Sequence, residues 1–149
     1  MNQPTKILII GGVAGGASAA TRARRCNETA EITLLEKDGY VSFANCGLPY
    51  YLGGDIKDRE KLLVAKPSLF EQRFRVNVKL RHEVTRIIPL EKQVEGVNHA
   101  TGERFTLSYD KLILAPGAAP IVPDIPGARA SNVFALRNVE DTDTIKTFL

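Results

Sequence analysis

The chain has 149 residues, of which 44% are hydrophobic and 25% charged, with a formal net charge of +3. That is enough chain for one domain with a real apolar core, and too small and dispersed a charge to point to nucleic acid. No apolar run approaches the ~20 residues of a membrane span, the run after Met1–Lys6 is too short for a signal-peptide core, and two cysteines make no disulfide framework.

Residues 7–10 form a continuous apolar, β-branched run, as expected of a strand buried on both faces of a parallel sheet. It stops at Gly11-Gly12, and an alanine-rich pattern predicts a helix from about Ala14 to Cys26 with Asn27 as its stop. Residues 31–36 read as a second strand. Strand, glycine turn, helix and strand within ~30 residues make a right-handed βαβ unit. The basic cluster Arg22, Arg24 and Arg25 lies on this helix rather than in a tail. Residues 39–58 are loop-rich, and residues 67–75 predict a short helix opened by Pro67. Stretches 84–88, 93–97 and 104–107 are separated by short turn signals and predict an antiparallel meander inserted into the α/β domain. Residues 111–114 form another buried-strand run, and prolines at 116, 120, 123 and 126 predict a rigid extended segment. Asn138 opens a capped, acidic helix start. With only one dinucleotide fingerprint and a last helix lacking a partner, the chain reads as incomplete.

Gly11-Gly12-Val13-Ala14-Gly15-Gly16 follows a strand and opens a helix, the context that dinucleotide binding requires. Gly11 permits the tight turn, Gly16 permits close packing of helix on strand, and the helix amino terminus offers free N–H groups to a pyrophosphate. Val13 occupies the position of the usual second glycine. Glu36 ends the second strand, where a carboxylate accepts hydrogen bonds from ribose hydroxyls. A generic glycine turn of another α/β fold is the competing reading.

Cys46 lies in the loop Ser42-Phe43-Ala44-Asn45-Cys46-Gly47-Leu48-Pro49-Tyr50, just after the second strand. Glycine and proline after it predict a helix start near Cys46, and a helix amino terminus favours thiolate. Position 41 is valine, so no second cysteine lies within the loop and a redox cycle uses Cys46 with an external sulfur or oxygen. The alternative is a small buried hydrophobe in a turn. Cys26, ending the first helix, is expected in the core. Ser18, Arg22 and Arg25, spaced i, i+4 and i+7, share one helix face. That spacing suits phosphate recognition, and equally a solvated basic face.

Together these motifs resemble the pyridine nucleotide–disulfide oxidoreductase family, and within it the coenzyme A-disulfide and NADH-dependent persulfide reductases. The resemblance rests on the glycine turn through Ala17, Leu35-Glu36-Lys37, the Cys46 loop, His82-Glu83-Val84 and Tyr109-Asp110-Lys111-Leu112-Ile113-Leu114-Ala115-Pro116-Gly117. Val13 matches this subgroup, and the single cysteine distinguishes it from members with a pair. The resemblance implies a Rossmann-like, three-layer α/β domain with a parallel sheet and an inserted meander. Residues 1–149 would be the amino-terminal part of an FAD-binding domain, followed in relatives by NADH and dimerisation domains. It implies FAD with its pyrophosphate on Gly11, Gly12, Val13, Ala14, Gly15 and Gly16, and its adenosine by Glu36, Lys37, Glu83 and Val84. Asn45, Cys46 and the turn Ala115-Pro116-Gly117 would face the isoalloxazine, Pro116 standing where threonine is usual. Ser18, Arg22, Arg25, Ser42 and Asn45 resemble the subgroup's coenzyme A contacts.

The expected whole protein is thus a cytoplasmic homodimeric flavoprotein. NADH or NADPH would reduce its FAD, and Cys46 would reduce coenzyme A disulfide, persulfides or polysulfides, with no metal, nucleic acid or membrane involved. The alternatives are an NADH oxidase or peroxidase using a Cys46 sulfenic acid, and a non-catalytic flavin-binding redox module.

Overall fold

The computed structural model describes residues 3–149, so Met1 and Asn2 of the leader reading lie outside the described residues. In chain order its elements are β1 (Lys6–Ile10), α1 (Ala14–Cys26), β2 (Glu31–Leu35), α2 (Leu48–Gly53), α3 (Pro67–Phe74), β3 (Val76–Lys79), β4 (His82–Ile88), β5 (Gln93–Asn98), β6 (Arg104–Ser108), β7 (Lys111–Leu114) and α4 (Val139–Phe148). The contacts divide the chain into two units. The first runs to Ser42 and resumes over Ala65–Pro116; the second takes Phe43–Val64 and Gly117–Leu149.

In the first unit the apolar run of β1 is the centre of a parallel sheet of order β3-β2-β1-β7. Successive side chains of a strand point to opposite faces, and here both faces are covered. Ile9, Ile32 and Leu34 enter a cluster with Ala17, Ala20 and Phe70 of α1 and α3. Leu8 and Leu35 turn the other way, onto Val94, Val84, Phe105 and Leu107 of the antiparallel sheet β4-β5-β6. The sandwich of helices, parallel sheet and meander is the three-layer arrangement expected from the sequence. Burial of a side chain such as Ile9, fully enclosed, is worth roughly 1.5–3 kcal/mol. Small residues at 17 and 20 let α1 lie close on the sheet.

Strand β3 was not legible in the sequence. Val76-Asn77-Val78-Lys79 is short and half polar, and its parallel pairing of Ile32 with Val76 and Leu34 with Val78 is made by β2, not by local propensity. The meander is as expected, with β4 starting at His82 and a register shift between Val84 and Arg86.

The arginine cluster divides by face. Arg22 and Arg25 are exposed, whereas Arg24 is 8% exposed and buried against chain ends. Its Nε donates to the Phe74 carbonyl (2.8 Å), Nη1 to those of Asn27 (3.2 Å) and Glu28 (2.7 Å), and Nη2 to that of Arg75 (2.9 Å). These carbonyls lie at or just past the C-terminal ends of α1 and α3, where the helix leaves acceptors unpaired and a cation is favoured. Arg24→Met keeps the stem and strips these donors, so it should cost about 2–4 kcal/mol in denaturant unfolding. Arg25→Ala, on the exposed face, should stay within about 0.5 kcal/mol. Asn27 terminates α1 as expected, its Oδ1 accepting the N–H groups of Thr29 and Ala30 at 3.0 Å each.

In the second unit α2 and α4 are in contact. The Arg59 guanidinium grips Asp143 of α4 through Nε–Oδ1 (2.7 Å) and Nη2–Oδ2 (2.5 Å). Lys146 Nζ lies 4.9 Å from the Tyr51 ring centroid of α2. Asn138 opens α4 with a capping box to Asp141, the start expected from the sequence. The proline-rich stretch before it carries turns but neither helix nor strand.

Candidate functional site

The glycine turn is fixed by what surrounds it. Gly11 has φ +93°, and a Cβ there would lie 2.0 Å from the Ala115 carbonyl oxygen. A Cβ on Gly16 would lie 1.7 Å from the Gly11 carbonyl oxygen. The two glycines therefore let α1, the turn and the end of β7 meet backbone to backbone. The Gly11 N–H donates to the Leu35 carbonyl (2.8 Å) and the Ala115 N–H to that of Ile10 (2.8 Å). Val13 precedes α1 without any side-chain cap, and the first turn holds no acidic residue. Ala14 and Gly15 are exposed. An uncapped thirteen-residue helix presents unpaired N–H groups and a partial positive charge, which fit a pyrophosphate.

Glu36 follows β2 and is only 5% exposed. The parallel register sets Ile10 beside Leu35, so the residues after each strand emerge together. The Gly12 N–H donates to Glu36 Oε2 (2.6 Å) and the Asp38 N–H to Oε1 (2.9 Å). Burial pushes this carboxyl above its ordinary pKa; the N–H groups of Asp38 and Gly12 oppose that, the Asp38 charge adds to it, and Lys37 opposes it. Two backbone donors do not exhaust an ionised carboxylate, which has about four lone-pair sites. The Gly12 carbonyl in turn accepts the Ser42 N–H (2.9 Å), and Ser42 holds a left-handed φ of +48°. Sequence reading missed this double fastening of Gly12; only the strand register signals it.

The remaining first-unit candidates are placed as follows. Lys37 is exposed. Glu83 pairs with His99 (2.9 Å), and the Val84 side chain packs inward, leaving its backbone as the group able to meet a ligand. Ala115 and Pro116 close on Gly11. Ser18, Arg22 and Arg25 are all exposed along α1, and among the described residues neither arginine has an ion-pair partner.

In the second unit the Cys46 loop is pinned at its base. Phe43 bridges to Leu63, and the Ala44 N–H donates to the Leu62 carbonyl (2.8 Å). Asn45–Gly47 form a single 3₁₀ turn running into α2, so the α-helix itself begins two residues after Cys46. Leu48 and Leu62 are buried below, while Cys46 is exposed. The Oδ1 atom of Asn45 is buried without a hydrogen-bond partner, an acceptor that a ligand's donor can satisfy. Gly117 has φ +72° and lies under the Arg137 guanidinium, whose Nε donates to the Ala118 carbonyl (2.8 Å). Arg137 gave no signal in the sequence. Cys26 is exposed too, which corrects the expectation of a core cysteine: at the last position of α1 its side chain falls outside the Ala17–Ala20 stripe.

Residues 5–148 match the profile of the pyridine nucleotide-disulphide oxidoreductases. The chain belongs to that family. Coenzyme A disulfide reductase of Staphylococcus haemolyticus is 44% identical over 144 residues, which are 97% of this chain and 32% of that protein. Among solved structures, reduced CoADR-RHD of Bacillus anthracis is 50% identical with a TM-score of 0.94, covering 97% of this chain and 26% of that one. An NAD-dependent persulfide reductase from A. fulgidus is 34% identical with a TM-score of 0.89, covering 97% and 27%. The chain thus spans about a third of the length of the curated relatives it matches. In the first unit the glycine turn, Glu36 and the residue after β7 lie together, through the Gly12–Glu36 hydrogen bond and the close approach of Ala115 to Gly11. No helix among the described residues is long and apolar enough to cross a membrane.

Proposed function

We propose that the chain supplies the FAD-binding and thiol-bearing part of a cytoplasmic, homodimeric NAD(P)H-dependent flavoprotein that reduces coenzyme A disulfide, persulfides or polysulfides. The observation that carries the reading is an exposed Cys46, without a second cysteine in its loop, in a member of this family. The names of the similar proteins, a coenzyme A disulfide reductase and a persulfide reductase, support the substrate class.

The first unit holds the dinucleotide: residues 11–16 its pyrophosphate, Glu36 and Lys37 its ribose, and the backbone at Glu83 and Val84 its adenine. Asn45, Cys46 and the turn Ala115-Pro116-Gly117 take the flavin-facing role that the resemblance assigns them. When bound, FAD relays two electrons from NAD(P)H to sulfur. The Cys46 thiolate attacks one sulfur of the substrate disulfide, the S–S bond breaks, and one substrate thiolate leaves with a proton from solvent. Two electrons and a proton then return the mixed disulfide to Cys46 thiolate and a second thiol. Asn45 offers its open acceptor beside the reacting sulfur in sequence. Ser18, Arg22, Arg25 and Ser42 bind the phosphate-bearing part of a coenzyme A substrate.

The test is NADH consumption by the whole protein with coenzyme A disulfide, polysulfide, peroxide and oxygen. Turnover on the sulfur compounds is expected; turnover on peroxide or oxygen alone overturns the reading. The double variant Arg22→Ala/Arg25→Ala should raise KM for coenzyme A disulfide about tenfold or more, an energy of about 1.4 kcal/mol, while sparing polysulfide. Equal loss on both substrates would reduce the stripe to a solvated face.

A further inference from the structure

The Glu36 carboxylate is committed before any ligand arrives. Its Oε2 holds the Gly12 N–H at 2.6 Å and its Oε1 the Asp38 N–H at 2.9 Å. The Gly12 amide is therefore spent inside the protein, and an anion at the turn is left with the first amides of α1. The same carboxylate is the group assigned to the ribose. We propose that Glu36 is a positioning residue that clasps the glycine turn in its ligand-accepting shape, and that occupation of the ribose site by an adenine dinucleotide is coupled to loss of the Glu36 proton. This rests on the dinucleotide reading of the turn and adds a clasp and a proton linkage to it.

Geometry sets the direction of the coupling. Ribose hydroxyls are donors, and they add to the two amides already on the carboxylate, so the ligand favours the ionised form. A protonated carboxyl loses acceptor capacity and needs an acceptor for its own proton. The charged or titratable residues next to Glu36 on its own and the neighbouring segments are Lys37, Asp38 and Tyr40 after β2, Lys79 ending β3, and Arg81, His82 and Glu83 at the start of β4. The Glu36 N–H donates to the Lys79 carbonyl, and the His82 N–H donates to that of Glu36 (both 2.9 Å). Gly12 and the first turn of α1 bring no carboxylate, and Val41 over Gly12 is apolar and buried. Burial leaves the free carboxyl above its ordinary value of 4.5. The contribution of this group to fold stability is then fully present below the ordinary value and lost as pH rises through the folded one. Nucleotide affinity moves the opposite way, rising with pH over the same window. Opposed signs separate this linkage from general acid unfolding, which weakens both together.

The experiment uses flavin-free whole protein, FAD as the probe, and the Glu36→Gln and Glu36→Asp variants. Flavin fluorescence gives Kd across pH 5–8, roughly the range in which native proteins are most stable. Below the Glu36 midpoint the wild-type Kd should fall by up to about tenfold per pH unit. Glu36→Gln should bind about tenfold more weakly and without that slope, because its amide points donors at donors. A carbon-labelled glutamate titration should place the Glu36 midpoint lower with FAD than without it. The Gly12 amide should be protected from exchange in flavin-free wild type and released in Glu36→Gln. Tight FAD binding with a flat pH profile and an unmoved midpoint overturns the linkage and leaves the dinucleotide reading standing. Absence of FAD binding at every pH overturns that reading, and an unprotected Gly12 amide in wild type overturns the clasp. The wild-type measurements decide even if the glutamine variant fails to fold.

Discussion

Cys46→Ser should abolish reduction of disulfide and persulfide sulfur by the whole protein while leaving NAD(P)H-to-flavin reduction intact. A serine hydroxyl is a near-isostere but ionises far too weakly to attack sulfur, and it has no sulfur with which to hold the intermediate. The change should leave the fold alone. Cys46 is exposed, its turn is anchored by buried Leu48 and Leu62, and surface changes usually stay within about 0.5 kcal/mol. Cys26→Ser should alter neither half-reaction and leave stability within about 0.5 kcal/mol, because that thiol is also exposed. It lies about 15 Å from Gly16 along α1, at ~1.5 Å per residue. Accessibility alone therefore does not separate the two cysteines; the loop in which Cys46 sits does. Anaerobic stopped-flow flavin reduction, followed by steady-state turnover on coenzyme A disulfide, is the decisive measurement. Full turnover by Cys46→Ser would sink the mechanism.

Gly16→Ala should be the most damaging single-atom addition in the turn. The new Cβ would meet the Gly11 carbonyl oxygen at 1.7 Å and Ile9 Cγ2 at 3.3 Å. The first obstacle is backbone, so relief requires α1 to move off the sheet. Ordinary overpacking costs about 1–3 kcal/mol, and this substitution should exceed that range and abolish FAD retention. Gly15→Ala is the control, because its Cβ would find only Ala115 Cβ at 3.4 Å, an ordinary contact. Alanine is favoured over glycine inside a helix by about 0.8–1.0 kcal/mol. A gain of roughly 2–4 °C in Tm is expected for Gly15→Ala. Equal melting temperatures for Gly16→Ala and wild type would show that the turn has more room than the structure gives it.

The sequence by itself determined the βαβ start, because β1 is apolar on both faces and α1 is alanine-rich and stopped by Asn27. These signals are local: side-chain periodicity, glycine at a left-handed turn, and an Asn or Asp beside a helix end. They also located the glycine turn, Glu36, the Cys46 loop, the meander and the capped start of α4. Tertiary structure decided what depends on partners distant in the chain. Strand β3 exists because β2 pairs with it, and Arg24 turned out to be a buried clamp because the ends of α1 and α3 bring four carbonyls to it. Spacing set Arg24 off the face shared by Arg22 and Arg25 but could not say what it meets there, since its acceptors lie at or beyond the ends of two helices. Cys26 escaped the core because its position on α1 falls off the alanine stripe. The Gly12–Glu36 bond needed the register of two parallel strands, which brings together residues that the sequence separates by a helix. Local propensity encodes elements one at a time, whereas register, burial and carbonyl satisfaction belong to pairs of elements and are fixed only when those elements pack.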